Sequence, residues 1–233
     1  MARATLDKRP TDVARMFDAV ADRYDRMNAV MTFGQERRWR RSVSSALALA
    51  PGQRVLDLAA GTGASSVPFA EAGALPVACD FSPGMLAVGR RTHPQLTFVA
   101  GDALRLPFAD GSFDAATISF GLRNVADVHV ALVELLRVTR PAGRLVVLET
   151  SQPPSALLRR MNDVYTRRVM PLLARAFSSD PSSYAYLAES AQSWLDQQSL
   201  ADALRAAGWT GVGWRDLMFG AVAMHSATRP DAA

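Results

Sequence analysis

The feature that narrows this chain most is a short apolar run ending in a glycine turn. Arg54-Val55-Leu56-Asp57-Leu58-Ala59 has the length and composition of a buried strand, and Gly61-Thr62-Gly63 follows almost at once. A helix continues from that turn to about Gly73. Further strand-like runs occur at 76–80, 96–101, 113–120 and 144–150, separated by helical stretches at 83–91 and 126–139. Residues 105–111, Arg-Leu-Pro-Phe-Ala-Asp-Gly, form a non-helical link. Strands that alternate with helices imply an α/β fold whose parallel sheet is covered on both faces.

The flanks have a different rhythm. Residues 11–49 read as helical, with Met16, Phe17, Val20, Tyr24 and Met27 at helical spacing, until Pro51-Gly52 breaks the segment. After Thr150, residues 152–196 read as helices joined by Pro171 and Ser178-Ser179-Asp180-Pro181. A last helix at 198–207 stops at Gly208, and strands at 209–217 and 221–228 are joined closely enough to pair antiparallel. The expected organisation is a single domain, 1–233. It has a helical segment at 1–50, a core at 51–150, a helical insertion at 151–197, and the last helix with its strand pair at 198–233.

Composition excludes several chemistries. Lys8 is the only lysine and lies in a polar terminal stretch, which leaves no lysine for a phosphate loop, a Schiff base or a Tyr-x-x-x-Lys reductase dyad. Cys79, the only cysteine, sits in an apolar run and reads as a buried structural thiol in a reducing cytosol. His93, His129 and His225 are widely spaced with no metal-ligand pattern, so no metal is expected. The amino terminus has no apolar signal region, and no run approaches the ~18 apolar residues of a membrane span. A cytoplasmic protein is expected.

In an open parallel sheet, ligands bind at the carboxyl ends of strands where the connections reverse. The first such edge here is Asp57-Leu-Ala-Ala-Gly61-Thr-Gly63, where glycine lets the backbone approach a ligand closely. Asp80 closes the next strand, where a carboxylate can accept from both hydroxyls of a ribose. The dinucleotide fingerprint Gly-x-Gly-x-x-Gly fails, because its third position is Ser66. The Gly-x-x-x-Gly-x-Gly spacing fails too, because it needs glycine at Asp57. An aspartate there would repel a pyrophosphate but suits the ammonium of a methionine moiety. Gly101-Asp102-Ala103 ends the third strand, where an acid can accept from an adenine amino group. Capping and turn roles account for Asp57 or Asp102 singly, but less well for three acids at three successive strand ends. These residues favour S-adenosyl-L-methionine over NAD.

Several stretches carry a more specific pattern: Met16-Phe-Asp-Ala-Val-Ala-Asp-Arg-Tyr-Asp25, Val55-Leu-Asp-Leu-Ala-Ala-Gly-Thr-Gly63 and Thr117-Ile-Ser-Phe-Gly-Leu-Arg-Asn-Val125. Arg140-Pro-Ala-Gly-Arg144 and Ser183-Tyr-Ala-Tyr-Leu-Ala-Glu-Ser190 continue it. Over residues 11–225 the chain resembles the ubiquinone/menaquinone biosynthesis C-methyltransferases, within the class I S-adenosylmethionine-dependent methyltransferases. The resemblance implies a Rossmann-like, mostly parallel seven-stranded sheet with an antiparallel last strand. It also implies donor binding by Thr62, Asp80, Asp102 with Ala103, and Ser119, beside Asp57, Gly61 and Gly63. The implied acceptor is a lipophilic quinol, demethylmenaquinol, or another phenolic ring. The chain departs from the family at Ala64-Ser65, at Leu195-Asp196-Gln197 and at Phe219–Arg229, which bears on the acceptor.

For carbon methylation of a hydroquinone, loss of a phenolic proton makes the adjacent ring carbon nucleophilic. A phenol titrates near pH ~10, so a base or a stabilising cation should contribute. Arg123 is the expected phenolate partner, Asn124 orients the ring, and His225 and Tyr165 are candidate proton acceptors. Nucleic-acid amino methylation is disfavoured, because Ser119-Phe-Gly-Leu-Arg-Asn stands where an Asn/Asp-Pro-Pro-aromatic motif would be expected. Arg37-Arg38-Trp39-Arg40-Arg41 reads as a solvated helix face. Segment 155–176 carries Arg159, Arg160, Arg167, Arg168 and Arg175 against Asp163, interleaved with Leu157, Leu158, Met161, Val164, Tyr165, Val169, Leu172 and Leu173. Such a helix either packs its apolar side over the site as a lid or lies on an anionic bilayer.

Overall fold

The computed structural model describes residues 10–169, 172 and 181–231. Its strands are β1 (Arg54–Leu58), β2 (Leu75–Asp80), β3 (Thr97–Ala100), β4 (Phe113–Ser119), β5 (Thr139–Thr150), β6 (Thr210–Leu217) and β7 (Val222–Thr228). They form one sheet in the order β3-β2-β1-β4-β5-β7-β6. Only β7 runs against its neighbours; every other pairing is parallel. This is the expected Rossmann-like architecture, and the strand order reverses between β1 and β4.

Alternation along the strands divides the core between the two faces. Leu56, Leu58, Ala116, Ile118, Leu145 and Val147 pack with α6 (Val128–Val138) through Leu132 and Leu135, and with Leu200 and Leu204 of the helix Gln197–Ala206. Val55, Ala115, Val146 and Leu148 point the other way, onto Trp39, Val43 and Leu47 of α3 (Glu36–Leu47) and onto Phe69 of α4 (Val67–Glu71). Each large side chain buried in this way contributes roughly 1.5–3 kcal/mol. Trp209 adds a polar tie, its indole N–H donating to Leu132 O at 3.0 Å.

The helical prefix is not continuous. α1 (Pro10–Val20) gives way to a tight turn at Ala21–Arg23, and α2 (Tyr24–Met31) ends where Phe33 and Gly34 adopt left-handed backbone, φ 51° and 73°. β5 begins five residues earlier than the expected 144. Thr139 pairs with Phe113 before the register shifts, and Ala142 (φ 57°) absorbs the irregularity beside Pro141. α5 (Pro83–Thr92) starts at Ser82, whose hydroxyl accepts from Met85 N–H. In 152–196 the structure has α7 (Ala156–Val164), a π-helical turn (Tyr165–Val169) and α8 (Pro181–Gln192), followed by α9 (Gln197–Ala206). The expected linkers at Pro171 and at 178–180, together with Leu173 and Arg175, lie outside the described residues.

Candidate active site

The carboxyl ends of β1, β2 and β4 form the floor of a cavity of about 370 Å³. Gly61 (φ 57°) contributes bare backbone to its wall beside Thr62, Ala64 and Ser65. Gly63 (φ 81°) stands just behind, where an added Cβ would fall 2.7 Å from the Phe98 ring. The turn is held by Asp80, whose Oδ2 accepts from Gly61 N–H at 2.8 Å and whose Oδ1 accepts from Ser82 N–H at 2.9 Å. Burial raises the Asp80 carboxyl above its ordinary value, while the N–H groups of Ser82, Gly61 and Phe81 oppose the rise.

Asp80 stands on the wall between this cavity and a smaller apolar slot of about 50 Å³. Leu58, Ala103, Leu104, Ile118 and Val125 line the slot, with Asp102 at its rim. Asp102 Oδ1 accepts from Leu104 N–H at 2.9 Å, and Ser119 lines the larger cavity. Two spaces that meet at a buried carboxylate suit a nucleoside: base in the slot, ribose hydroxyls on Asp80, and the remainder in the larger space.

Asp57 is one layer further back. Its Oδ2 accepts from the hydroxyls of Ser65 and Ser66, at 2.6 and 2.7 Å, and its Oδ1 is buried without a partner. Burial pushes its carboxyl up to about 6 despite the two serines, with Arg40 opposing the rise and Asp80 adding to it. Asp57 therefore reaches the cavity through Ser65, a relay that spacing alone does not disclose.

The roof comes from the chain's flanks. Asp18 Oδ1, on α1, accepts from Ser82 Oγ at 2.6 Å and from Gly84 N–H at 2.8 Å, so it extends the cap of α5. Asp25 Oδ2, on α2, accepts from Thr62 Oγ1 at 2.6 Å, and Arg40 sits 3.5 Å from its other oxygen. Phe17, Tyr24, Asn28, Met31 and Arg40 line the cavity from this side. Arg40 thus departs from its arginine neighbours, since Arg37, Arg38 and Arg41 are exposed as expected of a solvated face. Neither Asp18 nor Asp25 was expected as a site residue, although both lie in the Met16–Asp25 stretch.

At the far end, Arg123 and Asn124 line the cavity from the turn after β4. Arg123 is nearly buried and bonded within the protein. Its Nη1 donates to Glu149 Oε1 at 2.5 Å and to Phe120 O at 2.7 Å, while its main-chain N–H donates to Glu149 Oε2 at 3.2 Å. Glu149, near the end of β5, is a further site residue that nothing in the sequence singled out. Tyr24 is raised by burial, with Asn28 and Arg123 opposing the rise. Tyr165 also lines the cavity; its hydroxyl donates to Met31 O, and burial raises its phenol.

His225 is not brought to these residues. On β7, its Nε2 lies 2.9 Å from Gln197 O and its ring lies 5.8 Å from that of Trp214, away from the cavity lining. Burial holds the imidazole below its ordinary value, which favours the neutral ring that donates to that carbonyl. The geometry gives it a structural tie to the start of α9. Among the described residues no group of His, Cys, Asp and Glu could hold a metal ion.

A sequence profile of the ubiE/COQ5 methyltransferase family matches residues 4–229. The chain is 58% identical over 231 residues to the demethylmenaquinone methyltransferase of Mycolicibacterium paratuberculosis, covering 99% of each chain. Its fold is similar to that of a SAM-dependent methyltransferase from Thermotoga maritima (TM-score 0.67, 21% identity, 93% of this chain and 99% of that one). It is also similar to phosphoethanolamine N-methyltransferase 2 of Haemonchus contortus, solved with S-adenosyl-L-methionine (TM-score 0.59, 14% identity, 82% of this chain and 53% of that one).

Proposed function

Since the chain belongs to the ubiE/COQ5 methyltransferase family, we propose that it is the C-methyltransferase that converts demethylmenaquinol to menaquinol, with S-adenosyl-L-methionine as donor. The observation that carries this reading is a buried carboxylate, Asp80, at the junction of an apolar slot and a cavity whose far end holds an arginine. When bound, the donor supplies an electrophilic methyl group on a sulfonium sulfur. Asp80 would accept from the ribose, Asp102 and Ala103 would receive the base, and Gly61, Thr62 and Ser119 would line the methionine side. Gly63 keeps the turn closed on Phe98, and Asp57 sets a negative field behind Ser65 that suits an ammonium group.

The acceptor ring belongs at the Arg123 end. With Nη1 committed to Glu149 and Phe120, and with Nε buried and unbonded, Nη2 is the part of the guanidinium left for a phenolate oxygen. Asn124 orients the ring from the adjacent turn. Tyr165 borders the same space and is our candidate to relay the phenolic proton; Tyr24 shares the wall with it. Holding the ring carbon in line with the sulfur–methyl bond is a proximity effect, which requires neither a covalent enzyme intermediate nor a metal.

We assign the chain to the cytoplasm, peripheral to the inner face of the membrane that holds its substrate. Among the described residues no helix is long and apolar enough to cross a membrane. The deciding experiment is mass spectrometry of quinones from cells lacking the protein. Accumulation of the demethyl species is expected; an unchanged quinone pool would overturn the proposal.

A further inference from the structure

α7 is turned inside out. Asn162, Asp163, Tyr165 and Thr166, on it and on the turn that continues it, line the cavity, while Leu157, Met161 and Val164 follow one another along its outer stripe. Leu157 is 70% exposed and Met161 60%, and the helix buries none of its residues. A helix of a globular protein turns its apolar stripe to the core; this one turns Asn162 inward beside Leu158 and leaves Leu157, Met161 and Val164 in solvent. Of the two roles expected for this segment, a lid with its apolar side over the site and contact with an anionic bilayer, the outward stripe fits the second.

Two distant turns extend this surface at both ends of α7. Phe33, between α2 and α3, is 70% exposed, and its ring lies 6.2 Å from that of Tyr165, just past the carboxyl end of α7. Phe219, between β6 and β7, is 80% exposed. It precedes Gly220, whose backbone lies so close to Pro154 that an added Cβ would fall 2.6 Å from the ring, and Pro154 immediately precedes the cap of α7. Phe33, Met218 and Phe219 all have left-handed backbone, φ 51°, 45° and 57°. Bulky side chains seldom occupy that region, and glycine would do so without strain. Here the strain holds apolar side chains out in solvent.

The charge beside α7 and Phe33 is basic, while Arg215 and Asp216 balance each other near Phe219. Arg159 and Arg160 flank the stripe on α7, Arg168 follows it, and Arg37 and Arg38 follow Phe33, all exposed; Asp163 is the one acid on α7. Met31, Thr32, Tyr165 and Met218 border the cavity from the same three segments, so the apolar surface adjoins it. We infer that Phe33, Phe219 and the Leu157–Met161–Val164 stripe form a tripod that seats the cavity mouth on an anionic phospholipid bilayer. The two phenylalanines enter the interface and the arginines meet the headgroups. This rests on the reading of the acceptor as a lipid-tailed quinol, whose ring would pass from the bilayer under α7 without crossing water.

The test uses the full chain and flotation with vesicles of phosphatidylcholine alone or with one quarter phosphatidylglycerol. The wild type should float with the anionic vesicles and more weakly with the neutral ones. Phe33→Gly and Phe219→Gly should each weaken retention by about tenfold, and together by about a hundredfold. Because relief of the left-handed strain offsets the larger unfolded-state entropy of glycine, both variants should melt close to the wild-type temperature, whereas loss of a buried structural contact would lower it by several degrees. Turnover of a tailless, water-soluble demethylnaphthoquinol should be unchanged in the double variant, while turnover of acceptor embedded in vesicles should fall. Double-variant retention equal to wild type would overturn the inference, as would a wild type that ignores vesicles or buries this surface in a second copy. Failure to methylate the tailless acceptor while still floating would instead count against the acceptor reading.

Discussion

The floor and the roof of the cavity are secured by different means. On the floor, Asp80 accepts from two main-chain N–H groups, Gly61 and Ser82 present rigid backbone, and Glu149 grips both the side chain and the main-chain N–H of Arg123. On the roof, α1 and α2 reach the loops after β1 and β2 through Asp18 and Asp25 and pack on Met85 of α5 through Val20 and Met27, while α7 buries no residue at all. The floor is thus organised before any ligand arrives, as electrostatic stabilisation of developing charge requires. Of the roof, α7 has the features of the weakly held end of the stability range, where moving elements belong.

The largest effect should come from breaking the floor at Glu149. Glu149→Ala leaves the Arg123 guanidinium buried without its counter-ion, at about 3–5 kcal/mol. Denaturant titration should show that loss, and methyl transfer should become undetectable. The paired replacement Arg123→Met with Glu149→Leu should regain most of the stability and none of the turnover, which separates the two roles.

Next is Asp80→Asn. The amide can accept with only one oxygen, so one of the two main-chain N–H groups would face a donor. Bonds to a charged acceptor contribute about 1.5–3 kcal/mol each, so affinity for S-adenosylhomocysteine should fall on the order of a hundredfold by calorimetry. Unchanged affinity would remove Asp80 from the donor site.

A smaller effect, with a sign of its own, concerns Asp57. Its carboxyl sits above its ordinary 3.8, at about 6, so folding favours the protonated form. Its contribution to the stability of the free protein is complete below 3.8 and is lost as pH rises through 6. Asp57→Asn should therefore melt higher than wild type at pH 7.5, with the difference disappearing near pH 4. An ammonium-bearing ligand favours the ionised form, so S-adenosylhomocysteine affinity should decline by about tenfold per unit as pH drops below 6. The Asn variant should lack that decline.

The mildest test loosens the roof. Asp25→Ala removes the bond from Thr62 and the pairing with Arg40, and a typical hydrogen bond contributes about 0.5–1.5 kcal/mol. Stopped-flow should show S-adenosylhomocysteine leaving about three- to tenfold faster, with turnover of bound donor little altered. A change in turnover larger than in release would mean that Asp25 belongs to the floor in function.

The same division explains what the sequence disclosed. The strands and the antiparallel pairing near the end of the chain were legible because each depends on neighbours in the chain: a short apolar run, a glycine turn, a brief connection between two strands. Glu149 was not legible, because its meaning depends on β5 lying beside β4 and turning its end toward Arg123, a pairing across 26 residues. The distance of His225 from the cavity was hidden for a similar reason. β7 pairs between β5 and β6, and the side that His225 faces is set by that register and by Gln197. The orientation of α7 was hidden as well, because periodicity fixes which residues share a stripe but not which stripe faces inward.

The bond from Asp18 to Ser82 and Gly84 spans 64 and 66 residues, and that separation has a consequence during synthesis. α1 leaves the ribosome before α5, yet its anchor does not exist until α5 has emerged, roughly 3–13 s later at ordinary elongation rates. Throughout that interval Val20 lacks Met85 of α5, and Val13 and Met16 lack Tyr186, against which they are buried in the finished protein. Until α5 emerges, this apolar face is open to contact with other nascent copies. Crowded translation of this message should expose that vulnerability well before the folded enzyme shows any weakness.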